Sequence, residues 1–245
     1  MFGAVLGFVV RRGASPQWRK QRLPPSPQRN FPYVGKLALP LGSSVNTATQ
    51  HRYNSAMKAK EVQAFFERVA SDWDTMRLAY YDERVIKKMA EIANLSEGMS
   101  VADVGTGTGF VAAGVAPWVG RVFAVDNSLA MIDVARKNLA TLGVRNVDLI
   151  PGEIMVLPLE SASVDAAFAN MVLHHAEDPG VMLREMARIV KPGGTVAITD
   201  EVEHPYTWMC EEHADIWLGF NEAQVEGFFR EAQLIGYGYE SLGMQ

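Results

Sequence analysis

Cysteine and long apolar runs are what this 245-residue sequence most lacks. Cys210 is the single cysteine, which excludes an internal disulfide framework and any metal site built from several thiolates. No apolar run reaches the roughly 18 residues that a membrane-spanning helix requires. The sequence therefore predicts a chain without a membrane span that works in a reducing compartment, with the cytoplasm as the default location.

Acidic residues are missing from the first 60 positions, and the first one is Glu61. Residues 1–60 contain ten lysines and arginines and carry a formal charge of +10. Since the whole chain carries −5, residues 61–245 carry −15. An acidic body does not attract nucleic-acid phosphate, so neither DNA nor RNA is expected as the main partner of the folded part.

The leader, residues 1–56, has no sustained helix or strand period and contains Pro24-Pro25-Ser26-Pro27. We expect it to be disordered, and two further interpretations stay open. Its arginines without acids are compatible with an organelle transit peptide, which would place the protein in an organelle. Alternatively, the start is assigned too early and the native protein begins at Met57. Residues 57–245 are predicted to form the folded domain.

The remainder of the chain alternates between two kinds of apolar pattern. Two helical segments come first, the second from about Asp82 to Leu95, and short apolar runs typical of buried parallel strands follow. The predicted strands are Ser100–Val104, Arg121–Val125, Val147–Ile150, Val164–Ala169 and Thr195–Thr199. The helices predicted between them are 110–117, 128–142 and 179–190. This order predicts an α/β fold with a doubly wound, mostly parallel, Rossmann-like sheet.

Three glycines follow the first predicted strand in the segment Val101-Ala-Asp-Val-Gly-Thr-Gly-Thr-Gly109. Glycines at this position allow a tight turn and let a ligand lie against backbone N–H groups near a helix N-terminus. In the dinucleotide fingerprint, Gly-x-Gly-x-x-Gly, the third glycine stands one residue later than it does here. An acid, Asp103, also stands two residues before the first glycine. Both differences disfavour a nicotinamide dinucleotide as the ligand.

The segment resembles the glycine-rich motif of class I S-adenosylmethionine (SAM)-dependent methyltransferases. In that family the first-strand acid lies near the amino group of the methionine moiety. A carboxylate suits the ammonium and sulfonium groups of SAM and repels a pyrophosphate. The resemblance implies SAM contacts from Asp103, Gly105, Thr106, Gly107 and Gly109.

Asp126 ends the second predicted strand, at the distance from the glycine loop at which Rossmann-like folds place a ribose-binding acid. The segment after it resembles the family segment that covers the adenine, which implies roles for Asn127 and Met131. The alternative interpretation is that Asp126 caps the next helix and Met131 is a core residue.

The segment Gly152-Glu-Ile-Met-Val-Leu-Pro158 is similar to the family's Gly-Asp-Ala-x-x-Leu-Pro motif. The family's acid accepts a hydrogen bond from the adenine amine, and its place is taken by Glu153 here. Glu153 and the backbone of Ile154 are therefore expected at the adenine, although a solvated loop acid is the alternative.

Asn170 and the stretch Met171–Pro179 follow the fourth predicted strand, where ligands of open α/β sheets bind. The Leu-His-His part resembles small-molecule methyltransferases of the ubiquinone and menaquinone type. His174 or His175 is a candidate base for an acceptor hydroxyl, because imidazole titrates near neutral pH. Two adjacent histidines cannot both point into one site, and a structural role is the alternative for each.

Aromatic residues cluster in the helices that precede the sheet. In the family this segment closes over SAM, so its side chains are candidates for a lid, with burial in the core as the alternative. The candidates are Phe66, Trp73, Asp74, Tyr80 and Tyr81.

Residues 211–232 resemble methyltransferases found beside or fused to arsenical-repressor-type regulators. Beyond Gly236 there is room for only the first strand of the hairpin that normally closes the family's sheet. The C-terminal edge of the sheet is therefore predicted to be incomplete, through truncation or because another segment supplies the missing strand. Arsenite as the acceptor is disfavoured, since holding As(III) needs several thiolates.

The resemblance covers about residues 62–240 and implies SAM-dependent transfer of a methyl group to a small organic acceptor by in-line SN2 displacement. No metal site is predicted, and the oligomeric state stays open. The alternatives are a SAM-binding regulatory protein without turnover and, less favoured, an NAD(P)-dependent oxidoreductase.

Overall fold

The structure is a computed structural model that describes residues 5–11 and 59–243. In these residues, seven strands form one sheet in the order β4-β3-β2-β5-β6-β1-β7. The strands are β1 Val5–Arg11, β2 Ser100–Val104, β3 Arg121–Asp126, β4 Val147–Pro151, β5 Val164–Asn170, β6 Val190–Glu201 and β7 Ile235–Ser241. Strands β2 to β6 are mutually parallel, which confirms the predicted Rossmann-like sheet.

Eight α-helices connect and flank the described strands. They are α1 Ala59–Val69, α2 Trp73–Met76, α3 Arg84–Ala93, α4 Phe110–Val115, α5 Leu129–Thr141, α6 Pro179–Ile189, α7 Trp208–Glu212 and α8 Glu222–Glu231. Two apolar clusters cover the two faces of the sheet, because successive residues of β2, Val101 and Ala102, pack into different ones. Along residues 59–243, every helix is too short or too polar to cross a bilayer.

Local sequence signals explain where the helices around the sheet begin. The hydroxyl oxygen of Ser128 accepts a hydrogen bond from the backbone N–H of Met131 at 3.2 Å and so caps α5. Asp178 caps α6 through the N–H of Val181, and Pro179 occupies the first turn, where its missing N–H costs nothing. These caps fix α5 and α6 directly after the ends of β3 and β5.

At the C-terminal edge of the sheet, the structure shows the second of the two stated alternatives, a strand supplied by another segment. Strand β1 lies between β6 and β7 and is antiparallel to both, with Val5 opposite Glu201 and Arg11 opposite Thr195. The predicted gap is therefore filled by another segment of the chain, and the expectation that the leader lacks a strand is wrong for residues 5–11. Their unbroken apolar run has no alternation that would distinguish a strand from other buried structure. The remaining interpretations of the leader fall on residues 12–58, which lie outside the described residues.

Candidate active site

A cleft opens where β2, β3 and β5 end, and it encloses about 890 Å³ of empty space counted out to its mouth. This is the edge at which open α/β sheets bind ligands. Ten residues predicted to bind the cofactor line it: Asp103, Gly105, Thr106, Gly107, Asp126, Asn127, Met131, Glu153, Ile154 and Asn170. His175 also lines the cleft, whereas Gly109 and His174 do not.

The glycine loop owes its shape to backbone conformations that favour glycine. Gly105 has a φ of 70° and Gly107 a φ of 54°. A Cβ on Gly105 would lie 2.6 Å from Cγ2 of Val172, so this position has neither the dihedral nor the space for a side chain. Gly109 packs against α5 instead, where a Cβ would meet that of Ala135 at 3.3 Å. This packing brings α5 close to the start of α4, and the cofactor contact of Gly109 stays a prediction.

Asp103 is 1% exposed and shapes the loop from below. Its Oδ2 accepts hydrogen bonds from Oγ1 of Thr106 at 2.6 Å and from the backbone N–H of Ala112 at 2.9 Å. Burial raises the pKa of Asp103 to about 6, although these two donors act in the opposite direction. At neutral pH the cleft therefore has a desolvated carboxylate at its floor.

Asp126 holds the other side of the loop through both of its oxygens. Oδ2 accepts a hydrogen bond from the N–H of Gly107 at 2.7 Å, and Oδ1 accepts one from the N–H of Ser128 at 2.9 Å. Burial raises the pKa of this carboxyl to about 6 as well. Because each carboxylate oxygen has two lone pairs, both can still accept a ligand hydroxyl.

The loop after Asp126 contacts the segment that carries Glu153, which also lines the cleft. The side-chain amide of Asn127 donates to Oε2 of Glu153 at 3.0 Å, while Met131 is 1% exposed. The amide of Gln63, on α1, donates to the carbonyl of Asn127 at 2.9 Å. The N-terminal helices therefore attach directly to the predicted adenine segment.

Helices α1 and α2 cover the cleft, with Phe66 and Trp73 among the lining residues. Asp74 fastens α2 to the glycine loop, since its two oxygens accept hydrogen bonds from Oγ1 of Thr108 at 2.7 Å and from the amide of Asn138 at 2.8 Å. Of the other lid candidates, Tyr81 lines the cleft and Tyr80 does not. The aromatic rings of this segment thus face a cavity and also pack on one another, with Phe66 and Trp73 edge to face at 5.2 Å.

The adjacent histidines have opposite environments. Burial alone would lower the pKa of His174, but Asp200, 2.8 Å from Nδ1, and Asp215 outweigh it and raise the pKa to about 10. Burial and the neighbouring charge of His174 lower the pKa of His175. At neutral pH His175 is therefore a neutral ring that faces the cleft, whereas His174 is buried behind it.

A smaller cavity lies behind the cleft and shares Trp73, Tyr81, Met171 and His175 with it. Its other lining residues are Tyr80, His174, Glu201, Met209, His213 and Asp215. Sequence reasoning did not assign Glu201, His213 or Asp215 to the site. They come from the end of β6 and the loop after α7, and the only signal was the acidic, histidine-containing segment 211–215.

Asp200 does not face either cavity. Its carboxylate is fully buried and accepts hydrogen bonds from the backbone N–H groups of Val172, Leu173 and Glu201 and from Nδ1 of His174. It fixes the turn that carries the two histidines.

A parallel sheet with acids ending its first two strands, on either side of a glycine turn, defines a nucleotide-cofactor fold of the SAM-binding type. Residues 102–198 match the family described as a methyltransferase domain. Over these residues the chain is similar to class I SAM-dependent methyltransferases, the family that its motifs resemble.

Two curated relatives and one solved structure illustrate the similarity. The demethylmenaquinone methyltransferase of Lactococcus lactis is 30% identical over 164 residues, which cover 62% of this chain and 64% of that protein. The arsenite methyltransferase of Halobacterium salinarum is 36% identical over 115 residues, 45% of this chain and 29% of that protein. A SAM-dependent methyltransferase from Aquifex aeolicus matches with a TM-score of 0.54 and 28% identity, covering 66% of this chain and 87% of that one. The chain thus spans less than two thirds of both curated relatives.

Proposed function

We propose that this chain transfers the methyl group of SAM to a small organic acceptor by in-line SN2 displacement. The observation that carries the proposal is the pair of carboxylates, Asp103 and Asp126, that flank a glycine turn at the ends of two adjacent strands. The methionine ammonium and the ribose hydroxyls of SAM are donors that complement them, whereas a pyrophosphate would be repelled.

The residues present fit SAM group by group. The described hydrogen bonds of Asp103 all use Oδ2, which leaves Oδ1 to accept from the ammonium. Asp126 keeps free lone pairs for the ribose hydroxyls, and Met131 and Glu153 offer an apolar contact and an acceptor to the adenine. When bound, SAM supplies a methyl group made electrophilic by the sulfonium.

The acceptor would enter from the smaller cavity, since Trp73, Met171 and His175 line both spaces. Nδ1 of His175 lies 3.1 Å from the carbonyl oxygen of Ala214 and must donate to it, which leaves Nε2 to take a proton from an acceptor. We assign the role of base to His175 and not to His174. Alignment of acceptor and methyl would supply most of the rate acceleration.

The thiol chemistry of the chain and the name of one relative narrow the choice of acceptor. Arsenite is disfavoured because Cys210 is the only cysteine and burial raises its pKa to about 12. The Lactococcus lactis relative is named for demethylmenaquinone, a quinone whose reduced quinol form carries aromatic hydroxyls, so such a quinol is the first acceptor to test.

Calorimetric titration with S-adenosylhomocysteine tests the cofactor assignment. Wild type should bind it, whereas Asp126→Ala should bind about 10- to 100-fold more weakly because two hydrogen bonds to a charged acceptor are lost. Asp133→Ala is the matched control, since this aspartate is exposed on α5 and pairs with Arg136. NADH should not bind to any of these proteins.

Two results would contradict the proposal. Equal affinity of Asp126→Ala and wild type would remove the cofactor assignment. Binding without transfer of a labelled methyl group, either to a demethylmenaquinone-type quinol or to any small molecule of a cell extract, would remove the activity.

A further inference from the structure

Asp215 has an unusual buried oxygen. Its side chain is 1% exposed, and its Oδ2 is the one buried side-chain oxygen or nitrogen within residues 60–243 that lacks a hydrogen-bond partner. An unpaired buried carboxylate oxygen costs free energy, so a partner is expected. No lysine or arginine is among the described residues that line its cavity, so a side-chain cation does not supply one.

Two histidines beside Asp215 are held in the way that metal-binding histidines are held. The tight turn Leu173–His175 brings their rings to 3.9 Å, contrary to the expectation that adjacent histidines cannot share one site. Nδ1 of His174 lies 2.8 Å from the carboxylate of Asp200, and Nδ1 of His175 lies 3.1 Å from the carbonyl oxygen of Ala214. Both partners are acceptors, so both Nδ1 atoms donate. Nε2 is then the nitrogen through which each ring can bind a metal, and outer carboxylate or carbonyl partners of this kind orient ligating histidines. His174 is protonated at neutral pH, so an ion that binds its Nε2 displaces the proton there.

The distances suit an ion better than a hydrogen bond. One nitrogen of each histidine and one oxygen of Asp215 all lie within 4.8 Å of one another. Nε2 of His174 is 3.7 Å from Oδ1 of Asp215, too far for a hydrogen bond. Two ligands that each lie about 2.1 Å from a shared tetrahedral ion are roughly 3.4 Å apart.

We infer that His174, His175 and Asp215 form a site for one divalent first-row transition-metal ion, of which Zn²⁺ is the representative. Two imidazoles and a carboxylate favour such ions over Mg²⁺ and Ca²⁺, which prefer oxygen ligands. Three protein ligands leave a position open toward the smaller cavity.

An overlapping set of ligands, Glu201, His204 and Asp215, is less suitable. Nε2 of His204 already lies 2.8 Å from Oε2 of Glu201, and its Nδ1 accepts from the backbone N–H of Tyr206. Both of its nitrogens are therefore in use, whereas His174 and His175 each keep one.

The ion would lie at the boundary between the two cavities, because His175 lines both. An oxygen of the acceptor could fill the open position, and coordination would lower the pKa of its hydroxyl. Because the ion would occupy Nε2 of His175, it would replace that imidazole as the group that promotes loss of the acceptor's proton. This consequence rests on the proposed methyl transfer, whereas binding of the ion does not.

Zinc titration of the untagged, chelator-treated full chain, without SAM, tests the site. Wild type should bind one Zn²⁺ per chain, and Asp215→Asn and His175→Gln should each weaken binding at least about 100-fold, because loss of an outer partner alone costs 10- to 100-fold. Asp200→Asn should fall in that 10- to 100-fold range. His213→Gln is the matched control, since it alters a histidine of the same cavity outside the ligand set and should bind zinc like wild type.

S-adenosylhomocysteine titration of the same samples reports whether each variant is folded. Absence of stoichiometric zinc binding by wild type, or unchanged affinity in Asp215→Asn and His175→Gln, would overturn the metal site while leaving the proposed function intact. Zinc binding with the expected losses but no methyl transfer would support the metal site and overturn the proposed function.

Discussion

The two cavities share a wall but are built in different ways. The cofactor cleft is made largely of backbone and strand ends, with Asp103 and Asp126 held by N–H groups and a hydroxyl. The smaller cavity is made of titratable side chains, and its carboxylates, Glu201 and Asp215, come from β6 and the loop after α7. The comparison indicates that short motifs at the ends of neighbouring strands create the cofactor site, whereas side chains from distant segments create the chemistry beside it.

Gly105→Ala should disrupt the cofactor cleft and leave the smaller cavity unchanged, and it has the largest expected effect. The variant combines a positive φ with a Cβ placed 2.6 Å from Val172. We therefore expect the binding free energy of S-adenosylhomocysteine to weaken by about 3 kcal/mol, which is at least about 100-fold in affinity. Calorimetry measures this affinity. Gly143→Ala is the control because Gly143 has a φ of 69° with nothing within 4 Å of its Cβ position. Equal affinities of the two variants would contradict the role of the loop.

Low pH should weaken binding of S-adenosylhomocysteine, because Asp103 and Asp126 both become protonated. Burial raises the pKa of Asp103 and of Asp126 to about 6, so both are ionised at pH 7 and take up protons below pH 6. Each proton must leave before the carboxylate can accept from the ligand. Affinity for S-adenosylhomocysteine should therefore fall as pH decreases below 6, by about tenfold per pH unit for each carboxyl.

Titrations between pH 5 and pH 8 measure this dependence. Asp103→Asn keeps an acceptor but has no proton to take up, so its affinity at a given pH is lower while its slope below pH 6 is half that of wild type. An affinity that is constant from pH 5 to pH 8 would show that neither carboxyl contacts the ligand.

Leu6→Pro tests the strand behind the smaller cavity and has the smallest expected effect. Leu6 is opposite Asp200 on β6 and Ser241 on β7, and proline removes a backbone donor from this ladder. We expect a loss of about 1–2 kcal/mol in the free energy of unfolding, or roughly 4 °C in melting temperature. Leu6→Ala, which keeps the N–H, should lose less. S-adenosylhomocysteine affinity should stay within about twofold, and a larger loss would mean that the two halves of the sheet are coupled.

The sequence predicted the cofactor side of the molecule closely. Asp103 and Asp126 reach the cleft because each stands at a strand end, and the period of the strands can be read from local residues. Gly109 lies against α5 and does not line the cleft, and a glycine that contacts a ligand and one that packs a helix look alike in a motif.

Long-range contacts explain what sequence reasoning missed. Asp215 meets His174 across 41 positions, and no local pattern links the two residues. Strand β1 pairs with segments near the other end of the chain, so its apolar run gave no sign of its neighbours. Asp200 is a third example, because it accepts hydrogen bonds from the backbone of the histidine turn 28 and 27 positions earlier, which no local pattern indicates.

The position of β1 has a consequence for the order of assembly during synthesis. This strand leaves the ribosome before its partners β6 and β7, which follow roughly 190 and 230 positions later. Closing so long a loop is slow, and until it closes the edge of β6 is unpaired and open to pairing with other chains. The parallel strands β2 to β6 can form before this edge, so the last step of folding is the insertion of β1 between β6 and β7.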